Sequence, residues 1–332
     1  MGKIVIRTPS AGVLAVFITV LLHVPVSSLE PSDNLPEWVP RGPVLEVKEY
    51  RVPDPNVPDV RRPVQNARFS ESGRIEKLVR YVPDHRRPVT QRFSYDAEDR
   101  LESWFAQDEQ GAMLWGYRFR YTSEGDLMQE TEFDREGDVA GHRAFLYYRD
   151  NGEVRVEESA YDSRGEVLWW MQRIRDTGFG GEEWSVYYPD GRVITEGVRK
   201  FDHLDRLVHE EEIDRTTNER TITTYEYDTG DRPIRVEHRD STGSVTRSEE
   251  YQYDENGNPV LHRITTDSEE RRIVRRYQYE YDRYGNWTRR ESWYMVTEET
   301  RLRSIDQDVR VREFTYRELS GNGGSYGTYS GG

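Results

Sequence analysis

Three oxygen-bearing residues at alternate positions, Asp254, Asn256 and Asn258, resemble part of a calcium-binding loop. An EF-hand loop needs a glycine at position six and a glutamate at position twelve, whereas Gly257 lies at position four. A tight turn accounts for the same residues, because Asp caps the first position of a type I turn and Gly accepts positive φ at its end. We therefore interpret four residues as structural turn residues: Asp254, Gly257, Asp282 and Gly285.

A second pattern, at residues 323–327, formally matches the G-x-S-x-G nucleophile elbow of hydrolases. That elbow needs a strand before it, a helix after it, and usually an acid and a histidine downstream. Ser325 instead lies in a Gly-rich terminus with five residues after the match. The sequence therefore predicts no serine nucleophile here.

Metal and cofactor chemistry is also poorly supported. The chain has no cysteine, which excludes disulfides, thiolate catalysis and Cys-type zinc sites. Six histidines outside residues 1–28 are scattered and form no H-E-x-x-H pair. Among 62 acidic residues, no carboxylate pair can be nominated for glycoside hydrolysis. We expect no catalytic residue, no metal ligand and no cofactor.

The remaining candidates for ligand contact are aromatic: Trp169, Trp170, Trp184 and Tyr281. Trp169 and Trp170 are consecutive, so in a strand they face opposite sides of the sheet. One could lie exposed as a stacking platform for a sugar ring or a partner. The alternative is that both pack against the protein itself.

A repeated unit must position these side chains. Residues 253–258 read Tyr-Asp-Glu-Asn-Gly-Asn, and residues 281–286 read Tyr-Asp-Arg-Tyr-Gly-Asn. An Asp-initiated turn that ends in Gly is a common way to close a hairpin with a bulge. The tyrosines at positions 277, 279 and 281 alternate with polar residues, as in a half-buried strand. Each unit therefore reads as strand, turn, strand.

Related turns recur every 12 to 15 residues, so two steps make a unit of about 26 residues. Residues 57–64 and 82–89 are identical at seven of eight positions. We predict the Gly-equivalent turn positions to be Gly73, His85, Asp99, Gly111, Gly125, Gly137, Gly152, Gly165, Gly178, Gly191, Asp205, a degenerate turn near Thr217, Gly230, Gly243, Gly257, a degenerate turn near Glu270, and Gly285.

The composition indicates a thin core. Hydrophobic residues make up 34% of the chain and charged residues 33%, yet aromatics reach 12%, which is unlike a disordered chain. We predict an all-β protein: an elongated antiparallel sheet of about 18 strands, built from tandem hairpin repeats and twisted or spiralling like a solenoid.

Four segments are expected. Residues 1–28 have the basic start, apolar run and small residues of a signal peptide, which predicts a secreted or periplasmic protein. Residues 29–43 form a Pro-rich linker, residues 44–319 the repeat domain, and residues 320–332 a flexible tail rich in Gly, Ser and Tyr. The net charge of -15 argues against nucleic acid, and a membrane is expected only through the N-terminal segment if it stays uncleaved.

The units at residues 253–258 and 281–286 resemble the YD repeats of RHS-like bacterial proteins, and the resemblance covers about residues 57–290. In that family the repeats build a long, spiralling antiparallel sheet, and large members enclose a toxin. This chain resembles a short secreted member without a toxin domain.

The expected function is a non-enzymatic secreted or periplasmic scaffold that mediates binding or cell-envelope structure, with a protein or glycan partner at the envelope. One alternative is a carbohydrate-binding protein, or less readily a glycan hydrolase, that uses its Tyr and Trp side chains. Another is an accessory or immunity protein of an RHS-like toxin system, which rests on the family analogy.

Overall fold

A computed structural model describes residues 40–81, 87–150, 152–176, 180–266, 272–298, 301–317 and 327–329. Every regular element in these residues is a β-strand, which confirms the all-β class. In this part of the chain there is no helix with the length and apolarity to span a membrane. The strands are β1 (Val44–Val52), β2 (Arg62–Phe69), β3 (Ile75–Arg80), β4 (Val89–Tyr95), β5 (Leu101–Gln107), β6 (Met113–Tyr121), β7 (Leu127–Phe133), β8 (Val139–Asp150), β9 (Glu153–Asp162), β10 (Val167–Asp176), β11 (Gly181–Tyr187), β12 (Val193–Phe201), β13 (Leu207–Asp214), β14 (Glu219–Tyr227), β15 (Pro233–Arg239), β16 (Val245–Tyr253), β17 (Pro259–Thr266), β18 (Arg272–Tyr281), β19 (Trp287–Glu298), β20 (Arg301–Tyr316) and β21 (Gly327–Tyr329).

These strands form one antiparallel sheet that closes on itself. From β1 to β20, each strand pairs with the next strand in sequence. In addition, β20 pairs with β1, from Tyr316 opposite Val44 to Val309 opposite Val52. The strands β1 to β20 therefore form a closed barrel, and the predicted elongated, spiralling sheet of about 18 strands is wrong. Hairpin patterns specify pairing between neighbours, but nothing local signals a pairing between the two ends.

The segment before β1 reinforces the seam between β1 and β20. The Oδ1 atom of Asn286 accepts the backbone N–H of Arg41 at 2.7 Å, and its Nδ2 donates to the Arg41 carbonyl at 2.8 Å. The Arg41 guanidinium donates to the Asn256 carbonyl at 2.8 Å. Gly42, with φ of 81°, approaches the ring of Tyr284 so closely that a Cβ would lie 2.9 Å from it. The start of the barrel is thus tied to the hairpin turns near its end.

Most of the predicted turn positions carry the predicted conformation. Those that the structure describes with positive φ are Gly73, Asp99, Gly111, Gly125, Gly137, Gly152, Gly165, Gly191, Asp205, Gly243, Gly257 and Gly285. In the turn after β14, positive φ falls on Asp231 instead of the predicted Gly230, and the degenerate turn near Thr217 places it on Asn218. The predicted positions His85, Gly178 and Glu270 lie outside the described residues. Asp and Asn tolerate this conformation better than other non-glycine residues, which explains the substitutions.

A repeated contact links the turns at one end of the barrel, which we call the first rim. This rim carries the turns at residues 70–74, 96–100, 122–126, 202–206, 228–232, 254–258 and 282–286. Near it, tyrosine hydroxyls donate to carbonyls 20 residues earlier, in the pairs Tyr95 to Ile75, Tyr121 to Leu101, Tyr227 to Leu207, Tyr253 to Pro233 and Tyr279 to Pro259. An arginine from the preceding turn stacks on the ring in the pairs Arg74 with Tyr95, Arg100 with Tyr121, Arg206 with Tyr227, and Arg232 with Tyr253. The repeated tyrosines therefore join each turn to the next.

The two faces of the sheet differ in burial. The packed face carries most of the buried side chains, including Val47, Leu78, Trp104, Tyr117 and Phe145. Its apolar clusters are local, one across the seam and one across β5 and β6. On the opposite face, which we call the open face, Leu146 is 57% exposed and Tyr148 is 43% exposed. One small buried cluster, Val52, Val309 and Val311, lies on this open face. The core is thus thin, with most of its buried side chains on the packed face, as the low apolar content predicts.

The C-terminal region departs from the sequence prediction at three residues. Within the predicted flexible tail of residues 320–332, Gly327–Tyr329 forms the short strand β21. It pairs with β20 from Phe314 opposite Tyr329 to Tyr316 opposite Gly327. Backbone pairing along an available strand edge needs no apolar side chain, so the Gly-rich composition gave no signal for it.

Gly197 in β12 tests the tight packing of the packed face. A Cβ added there would clash with the Glu211 carbonyl and lie 2.8 Å from the ring of Trp184. We expect Gly197→Ala to lower the free energy of unfolding by about 1–3 kcal/mol, the usual cost of overpacking. Denaturant titration measures this change. The control is Gly181→Ala in β11, where a Cβ has no neighbour within 4 Å, and it should cost less than about 0.5 kcal/mol. Equal effects of the two substitutions would contradict the packing.

Candidate functional site

Trp169 and Trp170 face opposite sides of β10, as their consecutive positions predict. Trp169 lies opposite Ala160 on the packed face, whereas Trp170 lies between Ser159 and Tyr187 on the open face. Both side chains are half-buried. Of these two tryptophans, Trp170 is therefore the one on the face that carries exposed apolar side chains.

Trp184 and Tyr281, the other predicted contact residues, are engaged within the protein. Trp184 is 8% exposed and has the Arg199 guanidinium 5.5 Å from its ring centre. The Tyr281 hydroxyl donates to the Asp254 carboxylate and accepts from the Asn258 amide at 2.9 Å. Burial and the hydrogen bond to Asp254 raise the pKa of Tyr281. Both side chains thus make contacts within the protein.

The four predicted turn residues occupy turn positions. Asp254 Oδ1 accepts the backbone N–H of Asn258 at 2.9 Å, and Gly257 has φ of 85°. Asp282 Oδ1 accepts the N–H of Asn286 at 3.0 Å, and Gly285 has φ of 81°. The carboxylates of both aspartates serve the backbone and the neighbouring tyrosines.

A row of ion pairs crosses the packed face, and sequence reasoning missed it. Its members alternate in sign from strand to strand: Glu130 (β7), Arg143 (β8), Glu158 (β9), Arg173 (β10), Glu182 (β11), Arg199 (β12) and Glu210 (β13). The nitrogen-to-oxygen distances are 2.7 Å and 3.3 Å around Arg143, and 3.1 Å and 2.7 Å around Arg199. The sequence shows charged residues on both faces of several strands, so the partners became apparent only with the register between strands.

Glu158 is the most enclosed member of the row. It is 1% exposed, and its Oε2 atom has no hydrogen-bond partner among the described residues. Burial raises the pKa of Glu158 to about 7, although the charges of Arg143 and Arg173 oppose the shift. Arg143 and Arg173 thus share the packed face with three carboxylates, those of Glu130, Glu132 and Glu158. Burial also raises the pKa of the half-buried Glu132.

A second buried carboxylate, Glu249 in β16, has the opposite character. It accepts hydrogen bonds from His262 at 2.9 Å and from the Tyr251 hydroxyl at 2.5 Å, and it pairs with Arg247 at 2.7 Å. Burial opposes its ionisation, but the hydrogen bonds of His262 and Tyr251 outweigh burial and lower the pKa of Glu249 to about 2. This group is therefore a fixed negative charge held by its neighbours.

The pKa of Glu158 is raised and that of Glu249 is lowered. Opposite shifts of this kind are typical of a general acid and a general base. General acid and base groups must reach the substrate within hydrogen-bond distance. Glu158 and Glu249 are 1% and 3% exposed, so neither carboxylate presents a surface to a substrate. Their arrangement fits pairing across the sheet better than catalysis. In the described ranges, no group of three or more His, Asp or Glu side chains is arranged to hold a metal ion.

An aromatic patch lies on the open face of β8 to β11. His142 and Tyr161 stack with ring centres 4.4 Å apart and planes 7° apart. Trp170 and Tyr187 stack at 3.9 Å and 11°. Because Ser159 lies opposite Trp170 and two residues before Tyr161, the two stacked pairs are diagonal neighbours across β9 and β10. We call these four residues the aromatic patch.

Small and polar side chains surround the Trp170 end of the patch. Ser159 lies opposite both Trp170 and Ala144, so two small residues adjoin one side of the indole. Gln172 follows on the same face of β10 and lies opposite Ser185 of β11. Nearby, Leu168 is exposed. The surroundings combine apolar ring surface with hydrogen-bonding groups on one accessible face.

The geometry defines a closed antiparallel barrel of hairpin repeats. No protein-family model matches the chain, and no curated protein matches it. Two porin-like proteins of solved structure are similar over 83% of this chain, each at 12% identity. The one from Bacteroides uniformis is covered over 99% of its length with a TM-score of 0.34, and the one from Bacteroides vulgatus over 100% with a TM-score of 0.24. A structure of TcdB2-TccC3 without its hypervariable C-terminal region is similar over 74% of this chain and 16% of its own, at 14% identity and a TM-score of 0.22. Similarity at this level supports no argument about function.

The raised pKa of Glu158 predicts a pH dependence of stability. The folded state holds the proton up to about pH 7, whereas the unfolded carboxyl loses it near its ordinary value of 4.5. Stability from this group is therefore full below pH 4.5 and falls as pH rises from 4.5 to 7. Since one pKa unit corresponds to about 1.4 kcal/mol, the wild-type protein should lose about 3 kcal/mol of unfolding free energy over this window. Glu158→Gln should abolish this loss, because glutamine does not ionise.

Thermal and urea denaturation between pH 5 and 9 measures this effect. Glu249 ionises well below this range, so it does not mask the result. The matched control is Glu157→Gln, the adjacent residue of β9 on the open face, which should retain the wild-type pH profile. If the Glu158 variant kept the wild-type slope, the buried protonated carboxyl would be excluded.

Proposed function

We propose that this chain is a non-enzymatic β-repeat scaffold of the bacterial cell envelope, secreted or periplasmic, that binds a glycan through the aromatic patch. The observation that carries the proposal is the pair of stacked aromatic contacts, His142 with Tyr161 and Trp170 with Tyr187, on the open face beside small side chains.

A glycan fits this patch for physical reasons. A sugar ring has a C–H face that packs on an aromatic ring and hydroxyl groups that need polar partners, and Trp and Tyr suit such a half-wet surface. Ser159 and Ala144 are small neighbours of the Trp170 indole, and Gln172 and Ser185 supply donors and acceptors on the same face. The overall charge of -15 favours a neutral glycan over an anionic polymer.

A scaffold without catalysis is supported by how the chemically capable groups are used. On the packed face, Glu130, Glu158 and Glu249 are buried and engaged with arginine, histidine or tyrosine side chains. At the first rim, aspartates accept backbone N–H groups and tyrosines bridge the turns. The reactive residue types thus serve the sheet itself.

We propose also that the hairpins are YD repeats of the RHS-like kind. Supporting this, the Asp and Gly of residues 253–258 and 281–286 form the turns, and Tyr253 and Tyr281 join neighbouring turns. Export through residues 1–28 is part of the same proposal and rests on their signal-like sequence, which lies outside the described residues. A role as an accessory or immunity protein of an RHS-like toxin system rests on the family resemblance alone.

Calorimetric titration of the full chain tests the glycan site. The probes are hexasaccharides of chitin, cellulose, β-1,3-glucan and mannan, and pelleting with peptidoglycan sacculi covers an insoluble envelope glycan. We expect saturable binding to at least one probe. Trp170→Ala should weaken that binding about tenfold, the effect of losing about 1.4 kcal/mol of contact energy.

The matched control is Tyr148→Ala, an exposed aromatic on the same face that stacks with Arg155 near the other strand ends. Because Tyr148 is not part of the aromatic patch, its loss should change the affinity by less than about twofold, or about 0.4 kcal/mol. The proposal would be contradicted if no probe bound, or if both variants lost affinity equally.

A further inference from the structure

The longest strand, β20, extends past its neighbour β19. Pairing with β19 runs from Arg301 to Val311 of β20, whereas pairing with β1 runs from Val309 to Tyr316. After Val311 the pairing with β19 ends, whereas β1 still covers the opposite edge as far as Tyr316. An uncovered strand edge presents backbone N–H and C=O groups that can template another strand.

The chain fills this edge with its own tail. Phe314, Thr315 and Tyr316 pair with Tyr329, Thr328 and Gly327, respectively, in antiparallel register. The receiving edge is held firmly, since Phe314 and Tyr316 are buried in the apolar cluster at the seam. The Tyr316 hydroxyl also donates to Asp282 and accepts from the Asn286 amide at 2.9 Å. The receiving strand is therefore rigid.

The tail pairs through a short strand. Its strand is three residues long, and the sequence that connects it to β20 contains Gly321, Gly323 and Gly324. Residues 318–332 contain no proline, so every residue can donate a backbone hydrogen bond. Ten residues, 317–326, join β20 to β21. For a short linker the effective concentration is on the order of millimolar, which favours the tail of the same chain without excluding exchange.

We propose that residues 312–316 form a strand-addition site, that β21 occupies it within one chain, and that the tail of a second copy occupies it when copies are crowded. Backbone pairing supplies the affinity in such β-augmentation, and the side chains on alternate positions supply specificity. Through this site, β21 of one copy would pair with the β20 edge of the next copy. It does not depend on the aromatic patch or on glycan binding.

Disulfide trapping tests the proposal in the full chain, because the protein has no cysteine of its own. Thr315 and Thr328 lie directly opposite in the register. Opposed residues have Cα separations of about 4.5–5.5 Å, which is within the range that a disulfide bridges. In the double variant Thr315→Cys with Thr328→Cys, oxidation at low protein concentration should yield an intramolecular disulfide, detected as protected thiols in a monomer. Free thiols after oxidation would overturn the intramolecular pairing.

Exchange between copies is tested by mixing two single variants, Thr315→Cys and Thr328→Cys, near millimolar concentration, where second copies compete with the tethered tail. In an equimolar mixture, random collision makes half of all disulfide-linked dimers heterodimers, which contain one chain of each variant. We expect heterodimers to exceed that fraction clearly, as measured by mass spectrometry of tagged chains. The control mixture pairs Thr315→Cys with Gly331→Cys, whose cysteine lies beyond the end of β21, and should give the random fraction. A random fraction in both mixtures would overturn exchange between copies.

Discussion

The pairing of β1 with β20 is the constraint on which the rest of the structure depends. Without it, the repeats would form an open sheet with two free edges, and closure is the arrangement that removes edges. The seam also buries Glu49 between Arg310 and Arg312, each 2.9 Å from its carboxylate. Burial opposes ionisation of Glu49, but the two arginines outweigh it and lower its pKa. Removal of one partner from a buried pair leaves an uncompensated charge, so these side chains specify the closed register.

A chain with few apolar residues still builds a firm wall because polar side chains are paired across strands. The ion-pair row on the packed face matches each carboxylate with an arginine of a neighbouring strand. Arginine stems cover apolar surface while their head groups meet carboxylates or aromatic rings. At the first rim, the tyrosine and arginine contacts repeat from turn to turn. Stability is thus distributed along the sheet instead of being concentrated in one core.

The same distribution separates aromatics that join parts of the barrel from those of the proposed glycan site. Trp184 and Tyr281 have the residue types of ligand contacts, yet one lies against Arg199 and the other bridges two turns. Trp170 lies on the opposite face, where its neighbour across the strand is Ser159. Strand alternation predicted that Trp169 and Trp170 would diverge. It could not say which face would be packed, because the sequence shows charge on both faces of several strands.

The sequence by itself determined the hairpins. The Asp and Gly positions encode turn conformations through local backbone chemistry, and alternation between turns sets strand character, so both were readable residue by residue. Tertiary structure decided the closure of the sheet, the partners of Glu130, Glu158 and Glu249, the placement of β21, and the neighbours of Trp170. These features join residues far apart in sequence or depend on the register between strands, and local propensity carries no information about either.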